Sequence, residues 1–169
     1  MRSLFSICLA AFIFCGSFLT HIAPASAASL ATLPGLGNMF AGEPPSLGLQ
    51  NNQLNSCPET PNCVLSQNPD DSHAIEPIPY TQNTQEARET LLKVLTVVPR
   101  TTVIENKNDY IRVEFQTNLM GFIDDGEFYF PSNEKLIHVR SASRMGESDL
   151  NLNHRRIEQI RLAMADLGA

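Results

Sequence analysis

The sequence contains no tryptophan, few basic residues and only one long apolar run, which lies at its beginning. Twelve lysines and arginines stand against eighteen aspartates and glutamates, and the formal net charge is −6. Nucleic-acid binding needs a basic surface that neutralises phosphates, so this composition argues against a DNA or RNA partner. Hydrophobic residues make up 43% of the chain and charged residues 18%, which is typical of a chain that folds around a core.

The sequence also lacks the short motifs of common catalytic and nucleotide-binding sites. It has no G-x-S-x-G, no H-E-x-x-H, no G-x-x-x-x-G-K-[ST] and no G-x-G-x-x-G. Its histidines are spread along the chain, and isolated histidines of this kind are usually structural or solvated. We therefore expect no metal and no cofactor, we assign no catalytic residue, and we favour a non-enzymatic function over an enzymatic one.

The N-terminal segment has the three parts of a secretory signal peptide. Arg2 supplies a positive end, residues 4–19 form the apolar run, and the small residues 25–27 are the pattern that signal peptidase recognises. A retained membrane anchor is the alternative, but the run is short for a span of about 20 residues and the cleavage pattern follows it at once. We therefore expect residues 1–27 to be removed on export, which leaves no stable membrane anchor.

The segment after the leader combines a loop-like composition with a cysteine pair. Residues 28–56 are rich in Gly, Pro, Leu and Asn and show neither alternation nor helical periodicity, so we interpret them as a flexible arm, with partial docking as the alternative. Cys57 and Cys63 are the only cysteines left after cleavage, and an oxidising compartment favours a structural disulfide between them. A redox pair or half of a metal site is the alternative, although the spacing is not C-x-x-C.

From residue 73 onward the hydrophobic pattern predicts an α+β fold. Residues 73–80 contain two prolines and can form an edge strand at most. Three- and four-residue apolar spacing predicts one helix between residues 84 and 98 and a second from about 151 to 167. Alternation predicts four strands between these helices, at about residues 103–104, 110–117, 125–130 and 136–143.

The short turns between these strands make neighbouring strands antiparallel, and two amphipathic helices can cover only one face of such a sheet. We expect residues 57–169 to form a single α+β domain. Its sheet has four antiparallel strands, or five if the edge segment joins, with both helices packed on one face. Phe128 and Ile137 must share that covered face, and the other face is polar and exposed.

The exposed face of the predicted sheet carries the first candidate site. A tight turn between the last two strands places Asp125 opposite Arg140 and Glu127 opposite His138. Exposed cross-strand ion pairs of this kind usually contribute less than about 1 kcal/mol to stability. The functional alternatives are a charged binding face and acid/base chemistry by Asp125 or Glu127 with His138.

The polar link between the last strand and the last helix, residues 140–156, carries the second candidate site. Its arginines offer planar donor forks, its serines offer hydroxyls, and the helix that follows opens with unpaired N–H groups, a combination suited to a carboxylate or a phosphate. The alternative is a self-contained loop in which Asp149 pairs with one of the arginines and an asparagine caps the helix. The candidate ligand-binding residues of both sites are Arg140, Ser141, Ser143, Arg144, Asp149, Asn153, Arg156, Asp125, Glu127 and His138.

Four segments of the mature chain are distinctive: C-P-E-T-P-N-C-V-L-S-Q, H-A-I-E-P-I, D-D-G-E-F-Y-F and V-R-S-A-S-R-M-G-E-S-D-L-N-L-N-H-R-R-I. They resemble the bacterial and plastid family of domain of unknown function 1499, and the resemblance covers about residues 57–164. It implies a small exported or membrane-associated protein with no assigned activity. It also directs attention to the polar residues of the last two segments, which include Asp124.

Many members of that family look like lipoproteins, and this chain departs from them. Phe14 precedes Cys15 at the position where a lipoprotein has a small residue, so lipid tethering is not expected. The leader looks like those of photosynthetic bacteria, which makes the thylakoid lumen an alternative to the periplasm.

We therefore expect an exported, non-enzymatic binding or assembly module of the cell envelope or the thylakoid lumen. Its partner is an anionic small molecule or an envelope or lumenal protein, because polar residues are dense where catalytic templates are lacking. The first alternative is a hydrolase or isomerase that uses Asp125, Glu127 and His138. The second is a purely structural envelope protein whose polar link only supports the fold.

Overall fold

The computed structural model describes residues 41–118 and 120–169. The predicted signal peptide and the first part of the predicted arm, residues 28–40, lie outside the described residues. The elements in chain order are β1 (Leu49–Gln50), β2 (Gln53–Leu54), β3 (Cys63–Leu65), β4 (Ile78–Pro79), α1 (Thr84–Val97), β5 (Thr101–Asn106), β6 (Tyr110–Gln116), β7 (Ile123–Tyr129), β8 (Leu136–Ser143) and α2 (Leu152–Asp166).

The main sheet is antiparallel throughout and has six strands among the described residues. Its order is β3-β8-β7-β6-β5, and β4 also pairs with β8. This confirms the predicted α+β class with an antiparallel sheet, but the predicted count of four strands, or five with the edge segment, was too low. Strands β3 and β4 share one edge of β8: Cys63 pairs with Ala142 at one end and Ile78 with Ile137 at the other. Because all three residues of β3 are buried, this strand shows no alternation in the sequence.

One face of the main sheet packs against both helices, as predicted. Helix α1 begins with a capping box, in which the side chain of Asn83 accepts the N–H of Glu86 and the carboxylate of Glu86 accepts the N–H of Asn83. Pro99 follows the end of the helix, where it cannot continue the hydrogen-bond ladder. Apolar side chains of α1, α2 and the sheet form one buried cluster, which includes Leu91, Leu95, Ile111, Val113, Phe115, Phe128, Ile137, Val139, Ile157, Ile160 and Met164.

The opposite face of the sheet is also covered, contrary to the expectation of an exposed polar surface. Strands β1 and β2 form a hairpin, in which Asn51 and Asn52 have φ angles of 52° and 60°. Two consecutive residues with left-handed conformation are typical of the type I′ turn. This turn is favoured in two-residue hairpin loops because its twist matches that of the flanking strands. The interpretation of residues 28–56 as a flexible arm therefore needs correction for its second half, where the run L-Q-N-N-Q-L encodes a hairpin.

The hairpin is held to the sheet by a second, smaller apolar cluster. Leu54 of β2 packs with Leu65, Tyr110 and Tyr129 of the main sheet, and all four side chains are buried. Leu49 packs against the same cluster. The polar residues of β7 and β8 on this face consequently lie beneath the hairpin and its flanking chain.

A disulfide joins Cys57 to Cys63, as predicted, with a Cα–Cα distance of 5.7 Å. It closes the loop between the hairpin and β3. A loop of this length restricts the unfolded chain enough to contribute about 2 kcal/mol to stability on the chain-entropy model. The bond therefore fixes the covering segment close to the edge of the main sheet.

Candidate functional site

The register between β7 and β8 places the candidate residues on the predicted face but two positions away from the predicted partners. Glu127 pairs with Arg140, Asp125 with Ala142 and Tyr129 with His138. The two strands nevertheless present the predicted faces, since Phe128 and Ile137 both lie in the core beneath the helices. The pairing of Glu127 with His138 was wrong because the turn is centred one residue later in the chain than assumed.

Glu127 and Arg140 form a buried ion pair. The distance from Nη1 of Arg140 to Oε2 of Glu127 is 2.9 Å, and the two side chains are 2% and 0% exposed. The other carboxylate oxygen, Oε1, accepts hydrogen bonds from the hydroxyl of Tyr110 at 2.7 Å and from the backbone N–H of Gly48 at 2.8 Å. Burial, and next the charge of Glu127, raise the pKa of Tyr110 well above its ordinary value, so this phenol stays a hydrogen-bond donor. The carboxylate of Glu127 therefore accepts hydrogen bonds from Arg140, Tyr110 and Gly48, and Arg140 is not free to bind a ligand.

Arg144 forms the second ion pair on this face. Its Nε lies 2.7 Å from Oδ2 of Asp125, its Nη2 lies 2.9 Å from Oδ1 of the same residue, and Nη2 also contacts Glu114. Hydrogen bonding to Asp125 raises the pKa of Arg144, although burial opposes the shift. Arg112 approaches Asp125 from the other side at 3.2 Å. Asp125 thus lies between two guanidinium groups.

The serines of β8 point to the opposite, helix-covered face, where they form a separate network. The hydroxyl of Ser141 donates to Oδ1 of Asn153 at 2.6 Å, and the hydroxyl of Ser143 donates to Asp124 at 2.6 Å. Nη2 of Arg156 donates to Oδ2 of Asp124 at 2.8 Å, and Nη1 donates to Asn153 at 2.9 Å. Asn153 is fully buried at the centre of this network. These contacts join the start of α2 to the end of β8.

Asp149 and His138 have local partners. Asp149 accepts the N–H of Asn151 at 2.9 Å and the N–H of Asn153 at 2.7 Å, so it caps α2 rather than pairing with an arginine. Nδ1 of His138 lies 3.3 Å from the hydroxyl of Ser66, and its Nε2 lies 3.4 Å from Glu134. Neither residue adds a free functional group to the candidate site.

The structure therefore divides the ten predicted ligand-binding residues into three groups. Eight lie in the two internal networks, Asp149 caps α2, and His138 lies on β8 with its own local partners. Each of the three predicted arginines is paired with a carboxylate: Arg140 with Glu127, Arg144 with Asp125 and Arg156 with Asp124. The two networks lie on opposite faces of the sheet. They do not form one shared ligand pocket.

A cleft beside the start of α2 contains arginines outside the two internal networks. It has a volume of about 450 Å³ and is lined by Val98, Pro99, Arg100, Gln116, Thr117, Asn118, Leu152, Arg155, Arg156 and Gln159, which we call the arginine cleft. The charged residues of this lining are all arginines.

Two of the three arginines in the arginine cleft have only carbonyl partners. Nε of Arg100 donates to the carbonyl of Gln116 at 3.3 Å, and Nη1 of Arg155 donates to the carbonyl of Leu150 at 2.7 Å. Among residues 41–118 and 120–169, no carboxylate lies within 4.0 Å of either guanidinium group. The third arginine, Arg156, pairs with Asp124, and its Cζ lies 4.4 Å from the ring centroid of Phe115.

A second cleft lies between the hairpin and the turn that joins β5 to β6. Its volume is about 360 Å³, and its lining includes Gly48, Asn51, Lys107, Asp109 and Tyr110. Lys107 contacts Glu105, so this cleft does not concentrate charge of one sign. Among the described residues, no group of three or more metal-binding side chains comes together, and neither helix is long and apolar enough to cross a membrane.

The family model for a protein of unknown function, DUF1499, matches residues 53–164, which is more than half of the chain. The chain belongs to the DUF1499 family. No curated protein and no solved structure matches it. The match runs from β2 into α2, so both internal networks and the arginine cleft lie within the DUF1499 region. Gly48, which donates to the buried Glu127, precedes that region.

Asn62, in one of the internal networks, and Arg100, in the arginine cleft, are among the residues of the DUF1499 domain that were missed at the level of sequence. Asn62 is buried, its carbonyl accepts hydrogen bonds from Asn153 and from the N–H of Ser143, and its side chain donates to the carbonyl of Gly146 at 2.6 Å. Within the Cys57–Cys63 loop, the sequence analysis predicted only the disulfide and assigned no role to Asn62. Arg100 was missed because it follows a helix-terminating proline and has no polar neighbours in sequence that mark a site.

The geometry of the DUF1499 domain limits its acid/base chemistry. A general acid or base must reach its substrate within hydrogen-bond distance, directly or through one water. Asp125 and Glu127 are completely buried and already accept hydrogen bonds from arginines. Anion binding, by contrast, needs exposed donors, and those lie at the arginine cleft.

Proposed function

We propose that this DUF1499 protein is an exported, non-enzymatic binding module that takes an anionic ligand in the arginine cleft. The proposal keeps the class of function expected from the sequence and moves the site. Export rests on the leader pattern, and the disulfide between Cys57 and Cys63 is compatible with an oxidising compartment such as the periplasm or the thylakoid lumen.

The observation that carries the proposal is the convergence of Arg100 and Arg155, which have no carboxylate partner among the described residues, on one cleft of an acidic chain. Arginine forks bind carboxylates and phosphates through paired, charge-assisted hydrogen bonds. Six of the eleven lysines and arginines among the described residues form ion pairs with carboxylates, and Arg100 and Arg155 are two of the five that do not. The two guanidinium groups are therefore available to an anion from solution.

The remaining lining of the arginine cleft suits the same class of ligand. Gln116, Asn118 and Gln159 offer amide groups that can donate or accept hydrogen bonds. The volume of about 450 Å³ lies within the range of about 300–1,000 Å³ typical of small-molecule sites. Val98 and Leu152 add an apolar wall, so a ligand with both an anionic group and an apolar part fits this lining.

The alternative of a hydrolase or isomerase has weaker support. It depended on Glu127 facing His138, whereas Glu127 faces Arg140 and lies beneath the hairpin. A purely structural role remains the alternative if the arginine cleft binds nothing, because the internal networks alone account for the buried polar residues.

Calorimetric titration of the chain from residue 28 onward with inorganic phosphate and with citrate tests the proposal. Sodium chloride at matched ionic strength controls for general screening. We expect saturable binding of at least one of these anions. The variants Arg100→Ala and Arg155→Ala should each weaken it about tenfold, as expected for the loss of one charge-assisted hydrogen bond.

Arg161→Ala is the matched control for these variants. Arg161 lies on the same helix as Arg155, but it pairs with Glu158 and does not line the arginine cleft. Its replacement should leave anion affinity unchanged. Equal affinity of the wild type and of a variant that lacks both Arg100 and Arg155 would remove the cleft as the binding site.

A further inference from the structure

The chain segments that line the arginine cleft also carry the most exposed large apolar side chains of the described residues. Leu150 is 82% exposed and Val97 is 76% exposed, the two highest values among the large hydrophobic residues. Val97 directly precedes the lining residue Val98, and Leu150 lies two residues before the lining residue Leu152. Single exposed apolar side chains are ordinary, whereas several on one surface are typical of an interaction site.

Two more exposed apolar residues lie close in the sequence to lining residues of the cleft. Met120, which is 47% exposed, lies two residues after the lining residue Asn118. Leu162, which is 55% exposed, follows Arg155 and Gln159 at helical spacing, so the three lie on one side of α2. Guanidinium groups that have no carboxylate partner among the described residues and exposed apolar side chains therefore occur together on three chain segments, 97–100, 116–120 and 150–162.

We infer that this surface docks on a membrane that contains anionic lipids, with a lipid phosphate in the arginine cleft and the apolar side chains in the interfacial layer. This inference rests on the proposed function, because it names the source of the anion. Amphipathic surfaces bind membranes by combining attraction of arginines to anionic headgroups with shallow burial of apolar side chains. Both components are present here on the same surface.

The net negative charge of the protein affects which part of its surface can approach an anionic membrane. The chain carries a net charge of −6, so an anionic membrane repels most of its surface. The charged residues that line the arginine cleft are all arginines, so this part of the surface attracts such a membrane. With two unpaired arginines and a few apolar side chains, binding should be weak and reversible rather than anchored.

The backbone of this surface supports the same inference. Leu150 and Arg100 both adopt left-handed conformations, with φ angles of 53°. This region disfavours side chains with a Cβ, and glycine or asparagine would adopt it at lower cost. Strained residues of this kind cluster at binding sites. The fold thus presents an exposed leucine and an unpaired arginine at positions where neither side chain is favoured by local conformation.

Vesicle co-sedimentation of the chain from residue 28 onward, which contains every described element, tests this inference. One set of vesicles contains phosphatidylcholine and phosphatidylglycerol, and the other contains phosphatidylcholine alone. Calorimetric titration with inorganic phosphate is run in parallel on each variant. We expect sedimentation with the anionic vesicles and at least a fivefold lower bound fraction with the neutral ones.

Two apolar variants separate lipid docking from simple anion binding. Leu150→Asn suits the left-handed conformation, and Val97→Thr removes an exposed methyl group, so both should fold. Combined, they should lower vesicle binding at least fivefold and leave phosphate affinity unchanged. Val103→Thr is the matched control, because Val103 is 42% exposed on β5 and does not border the arginine cleft.

The outcomes distinguish this inference from the proposed function. Phosphate binding without vesicle binding, or vesicle binding that survives the combined variant, overturns lipid docking and leaves the anion site in place. Absence of both kinds of binding overturns both ideas. Vesicle binding that requires Arg100, Arg155 and the two apolar side chains supports both.

Discussion

Arg140 and Glu127 lie directly opposite each other on β8 and β7, and their side chains meet at 2.9 Å in a space with almost no exposure to solvent. Transferring both charges from water is costly, and the pair offsets this cost only while its hydrogen bonds are complete. The hydroxyl of Tyr110 and the N–H of Gly48 satisfy the second carboxylate oxygen of Glu127. Nε of Arg140, by contrast, is buried without a hydrogen-bond partner among the described residues. The pair is therefore part of the interior of the fold, although every residue in it is polar.

Arg140→Ala should lower the free energy of unfolding by about 3–5 kcal/mol, since it leaves the carboxylate of Glu127 buried without its counter-charge. Urea denaturation measures this loss. Arg161→Ala is the control, because Arg161 forms a partly exposed pair with Glu158 that should contribute less than about 1 kcal/mol. The double variant Arg140→Met with Glu127→Leu should be less destabilised than Arg140→Ala. A loss of under 1 kcal/mol for Arg140→Ala would contradict the buried-pair account.

The hairpin that covers this pair depends on the left-handed backbone of Asn51 and Asn52. Asn52→Val should lower the free energy of unfolding by about 1–2 kcal/mol, because a β-branched residue disfavours positive φ. Asn108→Val is the matched control, since Asn108 is exposed in the turn between β5 and β6 and has no positive φ. Equal stability of the two variants in urea denaturation would show that the turn does not determine the hairpin.

The sequence predicted correctly which side chains share a face of the sheet, but it did not predict that the hairpin covers the polar face. Alternation in β6, β7 and β8 assigns Phe128 and Glu127 to opposite faces, because strand side chains have a period of two. The alternation says nothing of what lies over the polar face. That depends on Leu49 and Leu54, whose strands have only two residues each, too short for a periodic signal. Polar residues of a sheet are thus no evidence of exposure when a distant segment can supply both apolar contacts and donors.

The arginine cleft was missed for a different reason. Arg100 directly precedes β5 and Arg155 lies in the first turn of α2, and they are far apart in the sequence. Their proximity follows from the packing of α2 beside the end of β6, which local patterns do not encode. The polar link was a strong signal in the sequence, but its residues serve to attach α2 to β8 through Asn153 and Asp124.

Gly126 provides a test of packing between β7 and the core. A Cβ atom at this position would lie 2.9 Å from Cγ2 of Val113 and closer still to the ring of Phe115. Gly126→Ala should therefore lower the free energy of unfolding by about 1–3 kcal/mol through overpacking. Phe115→Leu in the same chain makes room for the added methyl group, so the double variant should lose less than the sum of the two single variants. Additive losses would show that the clash is absent.

The pH dependence of stability should contain a contribution from His73. This side chain is buried, its Nδ1 lies 2.7 Å from Oδ2 of Asp70, and its Nε2 lies 3.1 Å from the carbonyl of Thr60. Burial disfavours the charged ring, but the hydrogen bonds to Asp70 and Thr60 outweigh it and raise the pKa of His73 above 6.5. The ring therefore links the disulfide loop to the segment before β4 most strongly when it is protonated.

Because the pKa of His73 is higher in the folded state than in the unfolded state, its contribution is complete below pH 6.5 and is lost as the pH rises through the folded-state value. Hydrogen bonds from Ser72, and next from His73, lower the pKa of Asp70 to about 2, so Asp70 stays charged throughout that range. Urea denaturation between about pH 5 and pH 8 should show stability falling with rising pH. The variant His73→Asn should remove this slope, whereas His154→Asn, on the half-buried side of α2, should retain it. A slope that persists in His73→Asn would assign the pH dependence to another group.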